Sequence, residues 1–329
     1  MKRTIYFNNK PIISGVSTIA GPKESSGCIG DYIETKLSDD MYGENTFEKA
    51  ESKMLFAVLK NGMINSSKKE TDIDAIIAGD LLNQIIASTF AARNFSTAYL
   101  GIYNACATFS ESLTLGAMMV DGGYLNNVIC AASSHFSSAE RQYRYPLELG
   151  CTRPPQSQWT VTGAGATVIS QDGIGPKITC ATIGKVVDFG ITDVNNMGAA
   201  MAPAACDTLF THFCETKTNP EDYDLIVSGD LGALGSRILK DLIWEKGFDI
   251  EKQHVDCGEM IFNICEQEYQ GGSGAGCSAL VFNSYLYKKL KNKEFSRILF
   301  MATGALLSSV SSQQGDSIPG IAHAVVVES

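Results

Sequence analysis

One eight-residue pattern occurs twice, 150 positions apart: Asp74-Ala-Ile-Ile-Ala-Gly79-Asp80-Leu81 returns as Asp224-Leu-Ile-Val-Ser-Gly229-Asp230-Leu231. The echo continues along the chain. The apolar run Asn127–Ala132 has a counterpart in Arg297–Thr303, and Gly163–Ser170 has one in Gly320–Glu328. Each half reads strand, helix, strand, helix, strand. The strand segments are almost continuously apolar, which requires sheets covered on both faces. An internal repeat of this size fixes the architecture before any single residue is considered. The turn residues Asp172-Gly-Ile-Gly-Pro176 mark the junction, giving an α/β chain of two duplicated halves, 1–172 and 173–329. The segments Cys28–Lys36 and Glu140–Trp159, rich in polar residues and prolines, read as loops inserted around a site.

The 329 residues are 44% hydrophobic and 19% charged, with a net charge of −10, which describes a well-packed chain and argues against nucleic acid as a partner. No apolar run reaches the roughly 20 residues of a membrane span, and Met1-Lys-Arg-Thr-Ile-Tyr is not a signal peptide. A soluble, cytoplasmic protein is expected. Ten cysteines in such a chain read as buried thiols. No Cys-x-x-Cys pair occurs, and Cys206–Cys214 and Cys257–Cys265–Cys277 match no common metal spacing. Neither a structural metal nor a cofactor is expected.

In Tyr99–Gly116 an apolar strand pattern runs into a helical one, Ser110–Val120, with Cys106 at the junction. Helix N-termini present unpaired N–H groups and the positive end of the helix dipole, so Cys106–Phe109 can favour a thiolate or hold an anion. The turn Asp121-Gly-Gly123, a strand Asn127–Ala132 and Ser133-Ser134-His135 follow. With the duplication, this resembles the thiolase and ketoacyl synthase superfamily. The resemblance implies two halves stacked in five layers, α-β-α-β-α, and a nucleophilic cysteine in such a turn.

The same resemblance exposes what is missing. These enzymes use histidine and asparagine, or two histidines, to activate the thiol and hold the developing oxyanion. Where one histidine belongs, this chain reads Val227-Ser228-Gly229-Asp230-Leu231; where a second belongs, Gly272 stands within Gly271–Gly276. That glycine run lacks the Gly-Lys-Ser/Thr ending of a phosphate loop and reads as a tight strand-to-helix turn. The histidines, His135, His212, His254 and His323, fall on no catalytic motif. Cys106 is therefore expected to be a vestigial nucleophile. The alternative is an active acyltransferase that uses Cys106 with His254 or His323 recruited from an unusual place. Asp80 and Asp230 occupy equivalent repeat positions suited to turns or caps. Asp230 is also a site candidate because it replaces a histidine.

Longer segments narrow the resemblance. Ala20–Glu24, Ala78–Gln84, Ser133–His135 with Ala139–Pro146, Gly190–Ala205, Tyr223–Leu231, Gly271–Ala279 and Ala302–Ser308 are similar to the stage V sporulation protein AD family. That implies a non-catalytic protein binding dipicolinic acid, alone or as its calcium chelate, and assisting its uptake into the developing spore. It also implies work with membrane proteins of the same operon, a place in the cytoplasm or at the spore inner membrane, and a homodimer paired through an edge strand. A flat dianion needs directed donors, some apolar surface and no buried carboxylate nearby. The expected pocket is Cys106, Ala107, Ser133, Ser134, His135, Asp230, Gly272 and Ser273, with Arg141 or Arg144 at its mouth. Each arginine, taken singly, reads somewhat more readily as a solvated loop residue. Since the chain is acidic, the local field of the site must attract the ligand. A ligand-free scaffold that docks on membrane partners is the third class of reading.

Overall fold

The computed structural model describes residues 2–143, 153–262 and 270–329. The first half supplies β1 (Ile12–Ala20), β2 (Ala75–Gly79), β3 (Ala98–Gly101), β4 (Asn127–Ser134) and β5 (Gly163–Ser170). The second supplies β6 (Lys177–Thr182), β7 (Leu225–Ser228), β8 (His254–Asp256), β9 (Arg297–Ala305) and β10 (Gly320–Glu328). Their spatial order is β3-β2-β4-β5-β1 and then β6-β10-β9-β7-β8, so the two runs are the same arrangement laid out in opposite directions. In each, the first and last strands of the half are antiparallel neighbours and the inner three are parallel. The runs join through the pairing of Ile12 with Lys177.

Six helices matter for the site: α1 (Phe47–Asn65), α2 (Thr108–Asp121), α3 (Phe136–Tyr143), α4 (Met197–Thr216), α5 (Gly232–Glu245) and α6 (Ala275–Val281). α1 covers the outer face of the first sheet and α4 that of the second, while α2 packs against strands of both. α2 and α6 form the central layer of the five-layer α-β-α-β-α fold. Central helices bury side chains against sheets on both sides. Accordingly Phe109, Leu113 and Ala117 of α2 and all seven residues of α6 are buried. Phe109 meets Phe282 and Phe300 at 5.6 and 6.0 Å between ring centres, and those two lie 4.8 Å apart. Aromatic clusters at these spacings add directional contacts to area burial.

α2 begins two residues before the expected Ser110, and Cys106 immediately precedes its N-cap, Ala107. The two expected loops carry more structure than their composition suggested. Cys28–Lys36 contains a 3-10 turn at Gly30–Tyr32 and a short strand, Thr35–Lys36, on β1. Glu140 lies inside α3, and Trp159–Thr160 pairs in parallel with Gly272–Ser273. Polar residues and prolines at the ends of short elements look like loop in a linear reading.

Candidate functional site

The chain enters α2 through a left-handed residue, Ala105 (φ 49°), which turns Cys106 back toward the junction of the two halves. A non-glycine residue in that region is held there by its surroundings. Here the surroundings are β9: a Cβ on Gly304 would lie 2.7 Å from the Asn104 carbonyl oxygen and 3.0 Å from the Ala107 nitrogen. Only glycine allows the second sheet to come this close to the Cys106 turn.

Cys106 lines a cleft with Leu81, Tyr103, Tyr143, Thr160, Met197, Ser273 and Leu307. Its interior cavity is about 40 Å³, within about 390 Å³ of empty space when the mouth is included. The lining is apolar and hydroxylic and, among the described residues, includes no cationic side chain. Beneath it lies Asp230, buried, whose carboxylate accepts from Thr303 Oγ1 (2.9 Å), Ser273 Oγ (3.1 Å) and the Gly274 N–H (2.9 Å) and lies beside the Cys106 thiol. A carboxylate therefore occupies a group of donors of the kind that would otherwise face an oxyanion. Burial and then the Asp230 charge hold the Cys106 thiol well above its ordinary pKa. Desolvation and a neighbouring anion both disfavour a thiolate. Cys106 is thus a thiol at neutral pH.

No histidine among the described residues takes the place of a base on Cys106. His254 Nε2 lies 2.9 Å from Ser228 Oγ. His323 accepts from the Gly184 N–H and faces the Asn104 amide at 2.7 Å. His212 bridges Thr182 and Tyr223, and His135 contacts the Asp40 carbonyl. Burial lowers the pKa of all four, His254 to about 3 and His212 and His323 to about 4.

Cys106, Asp230 and Ser273 come together as the sequence suggested; the other expected pocket residues are directed elsewhere. Along β4 successive side chains face opposite ways. Ser133 turns outward to Glu51 Oε1 (3.0 Å), and Ser134 donates to the Val161 carbonyl (2.6 Å) and accepts from Gly276. His135 packs on Phe47, and neither it nor the two serines lines the cleft. Arg141 pairs with Glu48 at 2.6 Å on an exposed face away from Cys106, and Arg144 lies outside the described residues. Ala107 and Gly272 are buried behind the lining, Gly272 accepting from Gln158. Asp80 fills the turn role expected of it, accepting from Leu82, Ser88 N–H and Ser88 Oγ.

Sequence reasoning missed Tyr103, Tyr143, Thr160, Met197 and Leu307. Four of these, Tyr103, Tyr143, Met197 and Leu307, stand inside segments already singled out, but apolar and aromatic residues in such segments carry no mark of a cavity. It also missed Asp256. This buried carboxylate accepts from Ser228 Oγ (2.6 Å) and from the N–H groups of Leu231 (2.9 Å) and Gly232 (3.0 Å), pinning the loop that carries Asp230. Burial pushes Asp256 up to about 7. A carboxyl that keeps its proton longer when folded costs stability as pH rises, because the unfolded chain releases the proton first. Asp256→Asn cannot ionise. It is expected to gain on the parent from about pH 4 to 7 by up to roughly 1.4 kcal/mol per pH unit. The check is the difference between the two melting temperatures, which should widen with pH; a flat difference would exclude this buried ionisation.

Comparison with known proteins follows the same lines. The family model described as stage V sporulation protein AD matches residues 1–328. Stage V sporulation protein AD of Bacillus subtilis (strain 168) is 42% identical over 328 residues, covering 99% of this chain and 97% of that protein. Among solved structures, 3-oxoacyl-[acyl-carrier-protein] synthase III from Aquifex aeolicus VF5 superposes with a TM-score of 0.57 at 14% identity, over 97% of this chain and 100% of that one. Cerulenin-bound OleA of Xanthomonas campestris gives 0.63 at 13% identity, over 98% of this chain and 100% of that one. At that identity the two structures speak to the fold alone. Among the described residues no helix is long and apolar enough to cross a membrane.

Proposed function

The chain belongs to the stage V sporulation protein AD family, and from that premise we propose that it is a non-catalytic receptor that binds dipicolinic acid in the Cys106 cleft and assists its uptake into the developing spore. The observation that carries this reading is Asp230: it fills the donor cluster beside Cys106 and adds to burial in keeping the thiol protonated, while a cleft remains above it. Such a cleft retains a place for a small molecule without the groups that would turn it over. Its charge selects the form of the ligand. A bare dianion above a buried carboxylate, with no cation in the described lining, meets a repulsive field. The one-to-one calcium chelate is neutral overall and avoids that repulsion. Calorimetry with dipicolinate, with and without calcium, tests the reading: tighter binding with calcium is expected, and no binding in either condition would overturn it. The competing acyltransferase reading predicts an acyl-cysteine; mass spectrometry after incubation with acetyl-CoA is expected to find none on Cys106.

A dimer belongs to the same proposal. β3 is the terminal strand of its sheet, and beside it Leu100, Leu115, Met118, Met119 and Tyr124 line an apolar groove, with Tyr124 82% exposed. Unpaired strand edges flanked by apolar surface are pairing sites. Leu100→Asp is expected to shift sedimentation from dimer to monomer at micromolar concentration. A parent that already sediments as a monomer would remove this part of the reading. Work alongside membrane proteins of the sporulation operon, at the spore inner membrane, is the remaining part of the proposal.

A further inference from the structure

Tyr103 and Tyr143 reach toward each other in the Cys106 cleft, their hydroxyl oxygens 3.2 Å apart. A phenol has one proton to donate. That of Tyr143 goes to the Leu81 carbonyl oxygen, so in the contact between the two rings Tyr103 is the donor. The other polar groups of the described lining are engaged inward. Thr160 Oγ1 donates to Glu140 (2.9 Å), Ser273 Oγ donates to Asp230 (3.1 Å), and the Cys106 thiol lies beside the same carboxylate. Redirecting Thr160 or Ser273 toward a ligand would take a donor from a buried carboxylate, which is costly. Tyr103 differs. It is 47% exposed, it sits on the short connection between β3 and Cys106, and its acceptor is a neutral phenol oxygen.

We propose that Tyr103 is both the movable leaf of a gate over the cleft and the donor that recognises an acidic ligand inside it. The proposal rests on reading this cleft as a binding site. With the pair closed, the interior cavity of about 40 Å³ holds a few waters and not a six-membered ring bearing two carboxylates. Entry requires the two phenols to part. Parting frees the Tyr103 hydroxyl, and a ligand carboxylate oxygen is a stronger acceptor than the phenol it leaves. The ligand class is therefore a flat molecule with an outward-facing carboxylate, whether free or already chelating a cation through its other oxygens.

The experiment measures dipicolinate with equimolar calcium on the parent, Tyr103→Phe and Tyr143→Phe by stopped-flow and calorimetry. Both variants keep the ring and its packing. Tyr143→Phe removes the acceptor but leaves the donor: it should speed association severalfold and hold or tighten affinity. Tyr103→Phe removes the donor, and with it both the latch and the ligand's hydrogen bond: it should speed association but weaken affinity by about tenfold, through faster dissociation. Parent-like affinity in Tyr103→Phe, or equal weakening in both variants, would overturn the proposal. Failure of the parent to bind, or parent-like binding by a folded variant with its cleft filled at Cys106, would instead overturn the site reading and this proposal with it.

Discussion

Cys106→Trp is expected to abolish dipicolinate binding, a loss of at least about 100-fold, while the protein stays folded. The cysteine side chain forms part of the cleft surface, so a larger one grows into empty space before it meets the core. The added indole exceeds the interior room beside Tyr103, and overlap with a rigid planar ligand cannot be relieved by small shifts in close-packed surroundings. Cys106→Leu, a smaller intrusion, guards against the case where tryptophan disturbs α2. Calorimetry on variants whose melting temperature stays within a few degrees of the parent decides the matter. Parent-like binding by either would place the ligand elsewhere.

The second large effect concerns Asp230. Asp230→Ala leaves Thr303 Oγ1, Ser273 Oγ and the Gly274 N–H facing a void without their acceptor. Losing the acceptor of several buried donors at once should cost roughly 3–5 kcal/mol and lower the melting temperature by on the order of 5–10 °C. Asp230→Asn keeps an acceptor of the same size and should cost far less. It should also change Cys106: removing the neighbouring anion lowers the thiol pKa toward its ordinary value, so alkylation by iodoacetamide should accelerate severalfold. An alanine variant as stable as the parent, or an asparagine variant with unchanged alkylation, would show that the carboxylate does not govern the site.

The fold was legible because it is written twice. The recurrence of the Asp74–Leu81 pattern at Asp224–Leu231 placed β2 and β7 in equivalent positions, and the apolar runs of β4, β5, β9 and β10 left no solvated sheet face. The position of Cys106 was legible for a local reason, a strand pattern meeting a helical one. The walls of the cleft were not. Ser133, Ser134 and His135 looked like donors because they are polar and follow a strand, but the alternation of β4 and the needs of Glu51, Val161 and Asp40 turn them away. Tyr103, Tyr143 and Leu307 stood out in no way from their neighbours along the chain. What makes them lining is the approach of distant segments, which no spacing along the chain records. Asp256 lay hidden for the same reason: its acceptor role depends on β8 lying beside β7.

The shared central layer has a consequence for synthesis. Phe109 completes its aromatic cluster only with Phe282 and Phe300, and Gly304 must arrive before the Cys106 turn has its neighbour. About 170 residues of chain separate Phe109 from Phe282. At roughly 5–20 residues per second on a ribosome, the first half waits on the order of 10–30 s with the inner face of its sheet uncovered. During that interval the apolar side chains of α2, Phe109, Leu113 and Ala117, lack their partners from the second half, and the nascent chain is a natural client for a holding chaperone. Release of a truncated product ending near residue 172 should therefore yield aggregate, whereas the full-length chain buries the same helix as soon as its second half emerges.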